Sequence, residues 1–493
     1  MEENNNVQDL NEILMVRREK LKTLQDEGKN PFDIKTFKVD YSIEEIMEKH
    51  EQLTEQIFTC AGRIIAKRVM GKASFAHIQD RSGKLQLYIK IDELGEEVYG
   101  EFKKFDIGDI VGVTGTAFVT QRGEKSVKVS DMVLLCKSLQ PLPEKWHGLK
   151  DVDLRYRQRY VDLIVNPEVK QTFILRSKII SAIREYMDSN GFLEVDTPVL
   201  QNHSTNSASR PFKTHHNTLD IDMFMRVETE LALKRLIVGG LEKVYEMGRI
   251  FRNEGMSNRH NPEFTSIELY EAYTDYNGMA RRVEEIFLYI ADKVFGKRDF
   301  TYQGTDISLK TPFESMTMVE AVKKYTGVDF NSFELDDLKA REMAKLHHIK
   351  VEDEATWGGI LNEFFEEKVE EHLIQPTFIK EYPIEVSPLA KKIADMPHMT
   401  ERFEIFLTSR EIGNAFTELN DPIDQRERFI EQAKQKLGDE DYSIDEDFIH
   451  SLEIGMPPTG GLGLGVDRMI MFFTDSDSIR DVLLFPTMKP AER

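Results

Sequence analysis

The chain has 493 residues and a formal net charge of −22, with 87 acidic residues against 65 basic ones. That length predicts two to four domains, and the acidic balance excludes a generally basic nucleic-acid coat without excluding a local basic patch. No run of about eighteen apolar residues occurs and the N-terminus carries no apolar signal core, so neither a membrane span nor secretion is expected. The two cysteines, Cys60 and Cys136, are too few for a disulfide framework, which points to a reducing, cytoplasmic location.

Residues 7 to about 30 read as a helix. Leu10, Leu14, Arg17, Leu21 and Leu24 recur every three or four positions, and Gly28 and Pro31 end the pattern. The helix is either a solvated surface element or a basic arm laid along a phosphate backbone. With the segment that follows, it makes residues 1–56 a helical arm and lead-in. From 57 to 140 the pattern changes to five short alternating strands divided by glycine-containing turns, with a helix-like stretch between the third and fourth. This is the pattern of a small Greek-key barrel of the OB type. Between Phe58 and Lys90 seven Lys and Arg residues face a single acid, Asp80. Phe75 and His77 share one strand face, and Phe75 is either core or a platform on which a base stacks.

"LQPLPEKWHG" (139–148) reads as the start of an interdomain linker covering 141–155. Residues 156–493 mix helices with strands such as "KVYEMGRIFR", "TSIELYEAY" and "RFEIFLT". Helices are expected near 168–190, 228–239, 277–295, 317–325, 335–347, 356–372 and 424–437. The mixture predicts one α+β domain with an antiparallel sheet and a helical insertion near 330–375.

"RIFRNEGMSNRHNPEF" (249–264) joins two of these strands and holds three arginines and a histidine. Guanidinium groups make paired, charge-assisted bonds to phosphate. Arg252 lies at a strand end, Arg259 and His260 lie on the loop, and Phe264 offers a flat face to a base. The alternative is a surface salt-bridge cluster. No Walker loop is present to hold a nucleotide elsewhere. "GGLGLGVDR" (460–468) reads as a tight strand-to-helix turn, with Arg468 opening a buried helix. Glu404 and Glu411, seven apart, are either a carboxylate pair for Mg²⁺ or surface acids of an acidic chain. The tandem His215-His216 has no partner at metal-ligand spacing.

Three stretches, "GFLEVDTPVL", "VYEMGRIFRNEGMSNRHNPEF" and "GLGLGVDR", resemble the three signature motifs of class II aminoacyl-tRNA synthetases. With "MGKASF", "LRYRQRYVDLI", "RPFKTHHNTLDIDM", "KRLIVGGLEKVYE", "REIGNAFTELNDP" and "IRDVLLFP", nearly the whole chain resembles the bacterial class II lysyl-tRNA synthetases. The resemblance implies an anticodon-binding OB-fold, a catalytic domain whose first motif builds a homodimer, and ATP-dependent attachment of L-lysine to tRNA(Lys) through a lysyl-adenylate. It implies that Arg252 is the catalytic residue, binding the α-phosphate and the amino acid carboxylate. Glu254 would contact adenine, Arg259 and His260 the outer phosphates, and Phe264 and Arg468 would sandwich the base. Glu404 and Glu411 would hold Mg²⁺. Glu230 would meet the α-amine, and Glu268, Tyr270, Asn414 and Glu418 the side-chain end, with Phe416 and Asn206 completing the amino acid pocket. Arg68, Phe75, Gln86 and Glu124 would read the anticodon.

The chain departs from the family pattern at Thr205, Asn206, Ser207 and Ser209, at Thr229 and Ala232, and at Ala415. These departures are expected around the amino acid pocket. They leave open a lysine analogue or inhibitor resistance as variants of the activity, and a non-catalytic tRNA- or amino-acid-binding paralogue as a reading of another class.

Overall fold

The computed structural model describes residues 2–143, 149–202, 209–435 and 444–490. The chain forms two compact units, Met1–Lys150 and Asp151–Arg493.

The first unit begins with α1 (Glu2–Asp26) and α2 (Ile43–Glu48). Its strands are β1 (Phe58–Met70), β2 (Ala73–Gln79), β3 (Lys84–Lys90), β4 (Ile110–Val119) and β5 (Lys125–Cys136), with α3 (Ile91–Leu94) and α4 (Glu96–Lys104) between β3 and β4. They close in the order β1-β2-β3-β5-β4, the five-stranded barrel expected of an OB-fold. Alternation dictates the inside: Ala76, Ile78, Leu85, Leu87, Ile89, Val111, Val113, Val127 and Val129 are buried, and the residues between them face outward. Two cations of this unit have structural work. Lys67 donates to the carbonyl oxygens of Phe102, Lys103 and Phe105 at 2.6–3.0 Å, satisfying the end of α4. Buried Arg17 donates to the carbonyls of Ile107, Ser138 and Gln140, so this arginine fixes the helix to the barrel instead of extending as a basic arm.

The second unit opens with α5 (Val152–Arg157), α6 (Arg159–Val165) and the long α7 (Pro167–Ser189). Then come β6 (Leu193–Glu194), β7 (Leu200–Gln201), β8 (Lys213–His216), β9 (Ile221–Met225), α8 (Glu230–Val238), β10 (Lys243–Phe251), β11 (Glu263–Ala272) and α9 (Tyr276–Ile290). A small hairpin, β12 (Asp299–Tyr302) with β13 (Thr305–Ser308), leads to β14 (Glu314–Thr317) and the helices α10 (Met318–Thr326), α11 (Asp337–Leu346) and α12 (Trp357–Lys368). The chain continues through β15 (Thr377–Pro383), β16 (Lys392–Ile393), β17 (Met396–Phe406), β18 (Glu411–Thr417), α13 (Pro422–Gln435) and α14 (Glu446–Gly455). It ends with β19 (Thr459–Gly465), α15 (Val466–Phe473) and α16 (Ile479–Val482).

The main sheet runs β14-β15-β17-β18-β19-β11-β10-β6, with β16 on β17. The expected antiparallel sheet needs a correction: its two outer pairs, β14–β15 and β10–β6, are parallel. A parallel pair requires a crossover, and α10, α11 and α12 supply it between β14 and β15, packing around Phe330, Trp357, Phe364 and Phe365. On one face of the sheet α7, α9 and α15 bury Ile183, Val283, Phe287, Met469 and Phe473 against Ile267, Leu269, Leu462 and Leu464. On the other face α8, α13 and α14 pack Leu233, Ile237, Phe429 and Phe448 against Val244, Tyr270 and Ala272, and polar side chains gather over the glycines of β19.

A second correction concerns "GGLGLG". It is not a turn but the central strand β19, paired to β11 and β18 on its two sides. Its period of two was the signal: Leu462 and Leu464 face the core, and Gly461, Gly463 and Gly465 face the other way.

Candidate active site

The glycines of β19 form the floor of a cavity of about 420 Å³. Register places the polar residues around them. Glu268 of β11 and Asn414 of β18 both pair with Gly463, while Tyr270 and Phe416 both pair with Gly461. With glycine between them, side chains from two non-adjacent strands line the same cavity across the third. Gly461 is sterically required: a Cβ there would lie 1.9 Å from Glu418 Oε1 and 2.6 Å from Tyr270 Cε1. At Gly463 the nearest atom would be 3.6 Å away, an ordinary contact.

One end of the cavity is cationic. The β10–β11 hairpin carries Arg252 just past the last residue of β10, fixed by its N–H to the Pro262 carbonyl at 2.8 Å. Its Nε donates to the Val227 carbonyl at 3.4 Å, and its guanidinium lies 5.3 Å from the centre of the Phe264 ring. Arg259, His260 and Arg468 line the same cavity, as does Glu254, which accepts from the Arg210 N–H at 3.4 Å. The loop around them is held by Ser257, whose hydroxyl accepts the backbone N–H groups of Arg259 and His260 at 3.1 Å. Burial and the neighbouring Arg468 push the His260 imidazole down from its ordinary value. Arg468 donates to the Glu411 carbonyl at 2.6 Å and to its carboxylate at 3.2 Å. Asp467, at the start of α15, is anchored by Arg176 and by the Thr265 N–H, which sets the direction from which Arg468 enters.

The other end is acidic. Glu230 stands at the first position of α8, where the helix dipole favours a carboxylate. Glu268 accepts from the Thr229 N–H at 3.2 Å and from the Tyr270 hydroxyl at 3.3 Å. Burial, then the charge of Glu230, push the Glu268 carboxyl up to about 7. Glu418 is fully buried and is paired with the equally buried Lys234. Glu228, which the sequence reading missed, also lines this end; its carboxyl is pushed up to about 8 by burial and by the charges of Glu230 and Glu268. The signal for it was its place two residues before Glu230 in "VETELALK".

Glu404 and Glu411 come from the adjoining strands β17 and β18. Glu404 accepts from the Tyr382 hydroxyl at 2.9 Å and from Arg402 at 2.7 Å. Burial, then the charge of Glu411, hold its carboxyl up at about 7. Among the described residues no group of three or more His, Cys, Asp or Glu is placed to hold a metal. Asn414 is oriented by Arg402, which donates to its Oδ1 at 2.9 Å.

Asn206, with Thr205 and Ser207, lies outside the described residues. The other departures are only partly at the pocket. Thr229 touches it through its bond to Glu268. Ala415, by contrast, is buried in the core beneath the sheet, because its strand neighbours Asn414 and Phe416 take the cavity face. Ala232 on α8 is not among the cavity-lining residues.

On the barrel, Arg68 and Phe75 are cross-strand partners on β1 and β2. Phe75 is partly exposed and packs at a tilt against Tyr88, which packs likewise against Phe118, with ring centres 5.3 and 5.4 Å apart. Gln86 donates to Glu124 at 2.6 Å, and Glu124 also meets His77 at 3.3 Å. The structure therefore gathers Arg68, Phe75, Gln86 and Glu124 on one outward face, with Tyr88 and Phe118 extending the aromatic row.

Two outcomes follow from this geometry. Gly461→Ala should displace Glu418 and Tyr270 and destabilise the chain by about 1–3 kcal/mol, whereas Gly463→Ala should cost less; denaturant melts of the two variants compare them. The folded value of Glu228 lies above the ordinary carboxylate value, so its contribution to stability is present at low pH and is lost as pH rises toward 8. Glu228→Gln should flatten that part of the decline in a series of thermal melts from about pH 5 to about pH 9.

A family model described as "tRNA synthetases class II (D, K and N)" matches residues 151–489, and one described as "OB-fold nucleic acid binding domain" matches residues 58–135. A lysine–tRNA ligase of Thermoanaerobacter sp. (strain X514) is 58% identical over 488 residues, covering 99% of this chain and 98% of the relative. Lysine–tRNA ligases of Clostridium tetani (strain Massachusetts / E88) and Clostridium botulinum (strain Hall) are each 56% identical, over 491 residues (99% of this chain, 98% of the relative) and 485 residues (97% and 96%). With this glycine-floored cavity, its arginine-bearing hairpin and its anticodon-type barrel, the chain belongs to the class II tRNA synthetases of the D, K and N group.

Proposed function

We propose that this chain attaches L-lysine to tRNA(Lys), using ATP to form lysyl-adenylate and pyrophosphate and then passing the lysyl group to the terminal ribose of the tRNA with release of AMP. The observation that carries the reading is the polarity of one cavity: arginines and a histidine at one end, Glu228, Glu230 and Glu268 at the other with buried Glu418 behind them, and Arg252 on the wall they share. A triphosphate suits the first end, and an amino acid with a second ammonium group suits the second.

Arg252 binds the lysine carboxylate and the α-phosphate, so that the carboxylate oxygen attacks phosphorus while pyrophosphate leaves. Charge moves onto the phosphate oxygens as that bond forms, and a fixed guanidinium stabilises it. Arg259 and His260 hold the outer phosphates, Glu254 meets the adenine, and Phe264 with Arg468 encloses the ring. Glu230 receives the α-ammonium; Glu268, Tyr270, Glu418 and Asn414 receive the side-chain end, with Phe416 as the apolar wall, and Asn206 closes over the amino acid. Positioning and electrostatics suffice, with no covalent enzyme intermediate.

Glu404 and Glu411 fit Mg²⁺: two mutually repelling carboxylates, one raised to about 7 by burial and by the other's charge, form the sparse oxygen set that Mg²⁺ shares with phosphates. The bound ion would neutralise phosphate charge. The barrel reads the anticodon by stacking on Phe75 and by polar contacts from Arg68, Gln86 and Glu124. A homodimer is supported by exposed Leu193, Val199, Leu200 and Ile221 around the first signature motif. Free Cys60 and Cys136 suit a reducing cytoplasm.

Lysine-dependent ATP–pyrophosphate exchange tests the reading; no exchange with lysine would overturn it. Arg252→Ala should lower exchange by about a hundredfold or more while the sedimentation of the dimer stays unchanged. Phe75→Ala should weaken tRNA charging and leave exchange at the wild-type rate; equal losses in both assays would refute separate roles for barrel and cavity.

A further inference from the structure

The acidic end of the cavity contains an ammonium group of the protein itself. Lys234 lies one helical turn beyond Glu230 on α8, and its side chain is fully buried. Its Nζ is 2.5 Å from Glu230 Oε1 and also contacts Glu418 Oε2. It sits over the rings of Phe416 and Phe448, 5.4 and 5.9 Å from their centres. Among the described residues Lys234 is the one cation paired with the Glu418 carboxylate, and Glu418 Oε1 fills the position a side chain would take at Gly461. Resting on the lysine-pocket reading above, these two carboxylates are the ones that meet opposite ends of the substrate.

We propose that Lys234 is a positioning and specificity-determining residue: its buried ammonium ties Glu230 to Glu418 and holds both carboxyl groups in fixed orientation, so that a substrate with two ammonium groups finds a placed partner at each end. One internal cation thereby prepares both recognition points before the substrate arrives.

The surroundings show why a cation is needed there. Glu228 and Glu230 approach from the start of α8, Glu268 and Tyr270 from β11, and Glu418 from the end of β18; Arg252 faces them from the hairpin. Burial, with the charge of Glu230 added, holds the Glu418 carboxyl well above its ordinary value even beside Lys234, which opposes that rise. Burial works against the Lys234 ammonium, but Glu230 and Glu418 outweigh it and keep the group protonated. Without Lys234, four carboxyl groups would crowd one another, and the Glu418 carboxyl would be pushed higher still, weakening its attraction for an ammonium. A carboxyl group that must first ionise binds lysine more weakly at low pH and recovers as pH rises. A residue that only supported the fold would not impose that profile on one substrate.

The test uses the full-length chain in lysine-dependent exchange, with lysine and ATP varied separately from about pH 6.5 to about pH 9. Lys234→Met should raise KM for lysine about tenfold or more at neutral pH, with KM for ATP unchanged and with the lysine KM falling more steeply than that of the wild type as pH rises. Where Lys234→Met does not fold, the double variant Lys234→Met/Glu418→Gln removes the ion pair as a unit. It should show a raised lysine KM without the steeper pH slope. A folded Lys234→Met with wild-type lysine KM, a loss shared equally by both substrates, or a double variant with wild-type lysine KM would overturn the proposal. Absence of lysine-dependent exchange in the wild-type chain would instead remove the functional reading on which it rests, so the two failures are distinguishable.

Discussion

The site depends on a missing row of side chains. β19 runs through the middle of the main sheet with glycine at each cavity-facing position from 461 to 465 and leucine at 462 and 464 on the other face. Leucine ties the strand to the helices beneath it, and glycine leaves room above. In an ordinary sheet, neighbours two strands apart are separated by the side chain between them. Here Glu268 and Asn414 share Gly463, and Tyr270 and Phe416 share Gly461. Conformational freedom is not the reason for these glycines, since they lie in extended strand. The reason is space, and Gly461 shows it most sharply because Glu418 occupies the position a side chain would need.

Once that floor exists, electrostatics organises what stands on it. Carboxylates gathered out of water repel one another and resist ionisation, which is why Glu228 and Glu268 titrate far above ordinary glutamate. The molecule offsets this with a buried lysine at one end and an arginine on the wall. The cationic end is built differently. Its cations are displayed on a hairpin loop and at a helix start, fixed by backbone N–H bonds to the Pro262 carbonyl and the Ser257 hydroxyl and by the anchoring of Asp467. On the proposed reading, exposed cations suit a group that must release pyrophosphate, and buried charges suit discrimination among amino acids, where an unmatched charge is costly.

The barrel follows the same division between structure and contact. Lys67 and Arg17 are committed to carbonyl oxygens within the fold, although both belong to the cations that give the region its basic character. Exposed Arg68 and the row Phe75, Tyr88 and Phe118 remain for a partner. A local charge count therefore marks the right module and overstates how many of its charges face outward.

Several features were determined by the sequence itself. Period-two alternation fixed the five barrel strands, because one face of each must be apolar to close a core; period-three-and-four spacing fixed α7, α9 and α12 for the corresponding reason. The arginine-rich hairpin was legible because two β-rich runs flank residues that no helix or core accommodates. Tertiary structure alone decided which face a residue takes and which distant residue it meets. Ala415 fell on the core side by strand parity, and the parallel edge pairs arose from a crossover that no local pattern encodes. Glu418 meets Lys234, and Glu228 joins Glu268, only because a helix, a hairpin and a glycine strand converge. Local periodicity reports the environment of a residue along its own element; charge pairing across elements depends on register and packing, which are properties of the assembled sheet.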